Sequence, residues 1–231
     1  MTVLLRDILF STDGSASRCV VIPERDEELG VRLNVASLGT DARIIAARTL
    51  NLQLEDALPG VGVHSFRVAE ISRAIGIQLG FSTEEVVELF LGGLYHDLGK
   101  LTNIELYSDG NWTLTPEQRK VVIKHPTEGA RILEGVESPE VLLLIERHHE
   151  KFDGSGYADS LCGREMPLIQ QVIPVADAFS AMTDRRKYDI RRYSTRKAVQ
   201  EICSGSGRAY NPRVVCAFVR VMCRESPVTQ P

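Results

Sequence analysis

The chain has 231 residues, of which 43% are hydrophobic and 25% charged, with a formal net charge of −4. This composition belongs to a globular chain of one to two domains, at about 150 residues each, and excludes disordered and fibrous classes. A pI near 5.8 argues against a general DNA or RNA binder, and apolar runs such as 141–145 fall far short of the ~18 residues that a membrane span needs.

Arg6 and Asp7 stand where a secretory signal would carry its apolar stretch. The five cysteines include no Cys-x-x-Cys spacing, so they read as reduced thiols of a cytoplasmic protein. Residues 1–40 mix a Ser/Gly/Thr-rich stretch with short apolar segments around Pro23. They read as a small N-terminal arm or lobe, with strand character.

From Asp41 the pattern turns helical, and residues 41–231 read as one all-α domain of seven or eight helices. Helices are expected over Asp41–Leu58 and Val63–Leu79, where Val68, Ile71 and Ile75 share one face. Ser82 and Glu85 form a capping box that opens a helix running to His96. Thr115-Pro116 through Gln118 gives a second such start. Ser138-Pro139 opens a helix to about His149, and Pro167 one to about Thr183 with a kink at Pro174. Asn211-Pro212 opens the last, striped by Val214, Phe218, Val221 and Met222.

The histidines carry the chemistry. They are His64, His96, His125 and the pair His148–His149, with Asp97 directly after His96. Imidazole with carboxylate is the donor set of Zn, Fe and Mn sites. If the doublet is helical, its side chains point about 100° apart. It then serves two neighbouring ions, or one ion and the surface. Asp177 lies among apolar neighbours with no Lys or Arg within a helical turn, so its carboxylate needs a partner from elsewhere.

His96-Asp97-Leu98-Gly99-Lys100 resembles the HDxGK signature of the HD superfamily. The segment from His148-His149-Glu150 to Asp153-Gly154-Ser155-Gly156-Tyr157 resembles the HHExxDGxGYP motif of the HD-GYP family. The resemblance extends to His64-Ser65-x-Arg67, His125-Pro126-x-x-Gly129 and Val175-Ala176-Asp177, and covers about residues 55–222. It implies an all-α HD-superfamily bundle that hydrolyses cyclic di-GMP, or a related cyclic dinucleotide, at a metal centre. It further implies His64, His96, Asp97, His125, His148, His149 and Asp177 as ligands of two divalent transition metals, Fe or Mn, with Asp97 bridging. Members with a third metal carry a glutamate where this chain has Gly60. Lys100 and Arg186 match phosphate contacts, and Tyr157 matches the motif tyrosine near the ligand. Asp97 and Lys100 are thereby the catalytic pair.

The chemistry agrees with those residue types. Two cations about 3.5–4 Å apart polarise a phosphodiester and lower the pKa of a bridging water toward 7, so the nucleophile is a hydroxide. Between Arg185 and Arg224 stand eleven basic residues against Asp189 and Glu201, a distribution suited to steering an anion. Three positions depart from the family pattern: Ala158 replaces the proline of GYP, Ser180 a frequent aspartate, and Asp189 a usual basic residue. The departures keep open a weak or degenerate module that binds a cyclic dinucleotide or a signalling protein. An HD phosphohydrolase for another nucleotide is the third reading.

Overall fold

The computed structural model of the protein describes residues 39–108, 114–184 and 193–225. The N-terminal arm expected over 1–40 therefore lies almost wholly outside the described residues, as do Arg186 and Asp189. The described residues are helical without a named strand; two isolated β-bridges, such as Asp153 with Cys162, are the only extended pairing among them.

In chain order the α-helices are α1 (Thr40–Ala57), α2 (Val61–Leu79), α3 (Thr83–Tyr95), the short α4 (Glu105–Ser108), α5 (Pro116–Val122), α6 (His125–Ile132), α7 (Pro139–Glu146), α8 (Ile173–Thr183), α9 (Thr195–Ser204) and α10 (Pro212–Glu225). Two 3-10 helices, Leu98–Asn103 and Leu168–Gln171, join them. The caps read from sequence are present. Ser82 and Glu85 close a reciprocal capping box on α3, and Thr115 with Gln118 does the same on α5. Ser138 caps α7 through Val141 N–H.

Two sequence expectations change. The helix opened by Ser138 stops at Glu146, so His148 and His149 sit on the turn that follows. The segment from Pro167 to Thr183 is a 3-10 turn and a separate α8, with Val172 between them. Pro174 lies in the first turn of α8, where its missing N–H leaves nothing unsatisfied, so it starts a helix and does not kink one.

Helix α2 is the hub, packing against α1, α3, α8 and α10. Helix α3 is buried continuously from Glu88 to Tyr95, as its nearly unbroken apolar sequence requires. One apolar cluster joins α2, α3, α7, α8, α9 and α10 around Ile75, Leu144, Ile173, Ile202 and Phe218. A second joins α1, α2, α3, α6 and α7 around Leu91, Leu94, Tyr95, Leu133 and Ile145. Helices α2, α3 and α7 serve both clusters.

Two glycines set the distances between these elements. A Cβ on Gly93 would lie 2.5 Å from Ala69 Cα, so α3 crosses α2 almost backbone to backbone. A Cβ on Gly99 would lie 2.0 Å from His125 O and 2.6 Å from Gly129 N, which seats the first 3-10 helix directly on α6. Gly99→Ala is therefore an overpacking change against backbone that cannot rotate away. It should cost on the order of 1–3 kcal/mol or more, read as a lowered midpoint in urea unfolding. An unchanged midpoint would show that α6 moves freely against that turn.

Candidate metal centre

Six elements converge on one point. His64 comes from the first turn of α2, and His96 is the residue that closes α3. Asp97 follows it, and His125 opens α6. His148 and His149 come from the turn after α7, and Asp177 from α8. His64, His96 and Asp97 place donor atoms within 4.8 Å of one another, and His125, His148 and His149 form a second such group. Both rings of the doublet join the same group, with centroids 4.1 Å apart.

Backbone carbonyls aim three of the rings. His96 Nδ1 donates to Gly93 O at 2.8 Å, His125 Nδ1 to Val122 O at 2.7 Å, and His148 Nδ1 to Ile145 O at 2.6 Å. Each acceptor lies three residues earlier, so the preceding turn fixes both tautomer and ring direction and leaves Nε2 as the donor atom. Asp97 stands between the groups, its Oδ1 3.4 Å from His125 Nε2 and its Oδ2 3.4 Å from His96 Nε2. Asp177 Oδ1 lies 2.9 Å from His64 Nε2 and 3.9 Å from His96 Nε2. The partner that Asp177 lacks in its own helix is thus an imidazole from α2.

This donor set fits divalent cations. His125 Nε2 and His148 Nε2 face each other at 3.2 Å while both Nδ1–H groups are spent on carbonyls, so neutral rings meet lone pair to lone pair. His96 Nε2 is buried and has no hydrogen-bond partner among the described residues. Lone pairs and carboxylate oxygens turned into one space repel each other, and a cation between them reverses the sign.

The electrostatics keep the groups in their ligand forms. Burial pushes the His125 imidazole down to about 4, and burial with the field of neighbouring imidazoles holds His148 well below the ordinary histidine value. Burial also lowers His149. For Asp97 burial opposes ionisation, but His96 and Lys100 outweigh it and hold the carboxyl well below its usual range. Burial likewise opposes ionisation of Asp177, and the hydrogen bond and charge of His64 overcome it. Neutral imidazoles and ionised carboxylates are the metal-binding forms.

Around this centre, Lys100 Nζ pairs with Asp97 Oδ2 at 2.5 Å. Lys100 is on a 3-10 helix and not on the continuation of α3, and i, i+3 side chains eclipse in that geometry. Lys100 Nζ also lies 5.6 Å from the Tyr107 ring centre. Tyr157 stacks on His149, with ring centroids 4.7 Å apart and planes at 30°. The buried Glu150 accepts the N–H groups of Asp159 and Ser160 at 2.6 and 2.8 Å, which ties the loop carrying Tyr157 to the histidine turn. Arg186, the remaining residue of the expected site, lies outside the described residues.

Sequence reasoning missed Asp184 and Tyr107. Asp184 Oδ2 receives His64 Nδ1 at 2.8 Å, and Arg67 pairs with the same carboxylate. The unusual Ser180 was the available signal, since a lost carboxylate invites a search for its replacement one turn away.

A cavity of about 400 Å³ lies elsewhere, lined by Arg43, Ser82, Glu84, Glu85, Glu88, Ser138 and Glu140. None of the clustered ligands borders it, and its four glutamates would repel an anion.

The pH dependence of the metal-free protein follows from these shifts. His125 takes up its proton near 4 when folded against 6.5 for a free imidazole. Between those values the unfolded chain binds more protons, so stability is lost as pH falls through that window. His148 and His149 act in the same direction, and the lowered Asp97 and Asp177 extend the loss below pH 3.8. Urea unfolding of chelator-treated protein should give a midpoint that declines from pH 6.5 to 4. A flat profile would mean that the imidazoles are open to water.

The sequence profile described as "HD domain" matches residues 48–214. A cyclic di-GMP phosphodiesterase of Thermotoga maritima is 37% identical over 161 residues, covering 68% of this chain and 44% of that protein. The 3'3'-cGAMP-specific phosphodiesterase 1 of Vibrio cholerae is 34% identical over 126 residues, covering 54% of this chain and 29% of that protein. The chain thus spans less than half the length of these curated relatives. A solved cyclic GMP-AMP-specific phosphodiesterase of V. cholerae shares the fold at 21% identity and a TM-score of 0.59, covering 78% of this chain and 48% of that one. Among the described residues no helix is long and apolar enough to cross a membrane. With the profile matched across most of its length and the two histidine motifs converging on one buried centre, the chain belongs to the HD domain family, in its HD-GYP branch.

Proposed function

We propose that the chain is a metal-dependent phosphodiesterase for cyclic di-GMP or a related cyclic dinucleotide. The observation that carries this reading is Asp97, whose two oxygens face two separate imidazole groups across a buried centre. Such a carboxylate suits two ions a few ångströms apart. His64, His96, Asp97 and Asp177 would hold one, and Asp97, His125, His148 and His149 the other. Gly60 supplies no donor for a third: Glu55, the nearest carboxylate there, is spent on the N–H groups of Gly60 and Val63. A set of five imidazoles and two carboxylates suits Zn, Fe or Mn, and the family resemblance favours Fe or Mn, the ions we assign.

When bound, the ions polarise the phosphodiester and generate the nucleophile from water at neutral pH. The protein's own part is to aim, to exclude water and to place charge. Lys100 has a double role. Its ammonium occupies an Asp97 oxygen that an ion would also claim, and with that oxygen taken the ammonium would be available to a phosphate oxygen. Its side chain is 14% exposed and within reach of a ligand entering past Tyr107. Tyr157, stacked on His149, offers a face and a hydroxyl at the entrance. Burial and the field of Asp177 and Asp97 hold that hydroxyl well above the ordinary tyrosine value, so it remains a donor. Arg186 is assigned the second phosphate contact from its motif position.

The test is metal analysis together with chromatography of products after incubation with cyclic di-GMP, run aerobically and anaerobically. About two ions per chain and a linear or mononucleotide product are expected. Protein without Fe, Mn, Zn, Co or Ni would refute the centre, and loaded protein without turnover would leave a binding module. Asp97→Ala should lose metal and all hydrolysis with its helical content intact. Lys100→Ala should keep the metal and slow turnover by roughly 10²–10³-fold, the range for one transition-state donor. Loss of metal from Lys100→Ala would overturn the role given to it.

A further inference from the structure

His64 is aimed differently from the other anchored histidines. His96, His125 and His148 each donate Nδ1–H to a carbonyl three residues earlier in their own turn. His64 stands in the first turn of α2, after the left-handed Gly60, and the carbonyl of Gly60 accepts the His64 backbone N–H. Its Nδ1 instead meets Asp184 Oδ2 at 2.8 Å, across 120 residues of sequence.

Asp184 is itself fixed from three sides. Its backbone N–H bonds to Ser180 O at 2.8 Å at the end of α8. Ser180 Oγ donates to Asp184 Oδ2 at 3.0 Å, and Arg67 pairs with Oδ1. Arg67 also donates to Thr183 Oγ1 at 3.1 Å, so one guanidinium holds two adjacent residues at the end of α8. The carboxylate is 13% exposed and the imidazole 7%. As a metal ligand His64 would be a neutral imidazole with one proton to donate, and it lies between two carboxylates, Asp177 at Nε2 and Asp184 at Nδ1. Asp184, half-buried and held by Ser180 and Arg67, is the acceptor that would leave Nε2 free for the centre.

We infer that Asp184 is the positioning residue of the His64 metal ligand, a carboxylate moved one helical turn along α8 to do what residue 180 cannot do as serine. Asp184 closes α8 one turn after Ser180, and its N–H still bonds to Ser180 O, so the two positions keep the i, i+4 relation and either can reach the same imidazole edge. Ser180 then contributes the hydroxyl that orients its replacement. A carboxylate on Nδ1–H makes Nε2 more basic and fixes the ring direction, and loss of such a partner typically costs 10–100-fold in metal affinity. This inference rests on the metal-centre reading.

The experiment titrates Mn²⁺ into chelator-treated full-length protein and follows binding by calorimetry, with circular dichroism as the fold control. Wild type should bind two ions. Asp184→Asn, which preserves shape, should weaken one of them by about 10- to 100-fold and leave the other unchanged. Ser180→Asp/Asp184→Ser should recover the lost affinity, a rescue that a merely structural role does not give. Equal affinity in wild type and Asp184→Asn, or failure of the double variant to recover, overturns the inference. Wild type that binds no metal overturns the metal-centre reading itself.

Discussion

Five imidazole rings gathered at one buried space are the constraint on which this fold turns. Desolvation keeps His125, His148 and His149 neutral, and neutral rings hold direction only if one nitrogen is fixed. The chain meets this by ending or starting helices at the histidines. His96 closes α3, His125 opens α6 and His148 follows α7, so each finds a carbonyl three residues back that helix geometry has already placed. Helix ends, which elsewhere leave orphan backbone groups, here provide the acceptors.

Packing then has to bring those ends together, and backbone proximity does it. Gly93 lets α3 lie on Ala69 of α2, which brings His96 to 5.4 Å from His64 between ring centres. Gly99 seats the 3-10 turn on α6, which brings His125 to Asp97. The glycine inside the HDxGK pattern is accordingly a distance-setting residue, and its neighbours supply the chemistry. The two apolar clusters divide between them the helices that carry the clustered histidines and carboxylates, and share α2, α3 and α7. A change in either cluster thus shifts one half of the site against the other.

The sequence disclosed what is encoded locally. Caps at Ser82, Thr115 and Ser138 read correctly because a cap is a contact over three residues. The histidine motifs are legible as a family pattern because their punctuation, Gly99 and Gly156 among it, sits beside the clustered histidines. Helix α6 went unassigned, since Pro126 and Gly129 mask its periodicity while enabling its first turn and its close approach to Gly99. The helix from Ser138 was drawn too long because the doublet was read as helical, and apolar pattern does not say where a turn begins. Asp184 is harder to read for a different reason: Ser180 hints at a replacement carboxylate, but the contact with His64 is made by tertiary packing alone.

Charge shows how far composition and site diverge. A net charge of −4 suggests a poor partner for an anion, yet the acids are spent elsewhere. Glu84 and Glu85 stand in the first turn of α3 and Glu140 in that of α7, where they complement the helix dipoles. Together with Glu88, whose carboxyl is pushed up by burial and by the charges of Glu140 and Glu84, they line the acidic cavity. Glu137 is neutralised by Arg43 and bonded by Tyr95. At the centre itself the two carboxylates, Asp97 and Asp177, are outnumbered by five imidazoles and Lys100. Two divalent ions would turn that balance strongly positive, because neutral imidazoles add donors without adding charge of either sign. Ligand charge is therefore decided within a few ångströms of Asp97, where the field is least screened, and an acidic chain is compatible with a diphosphate substrate.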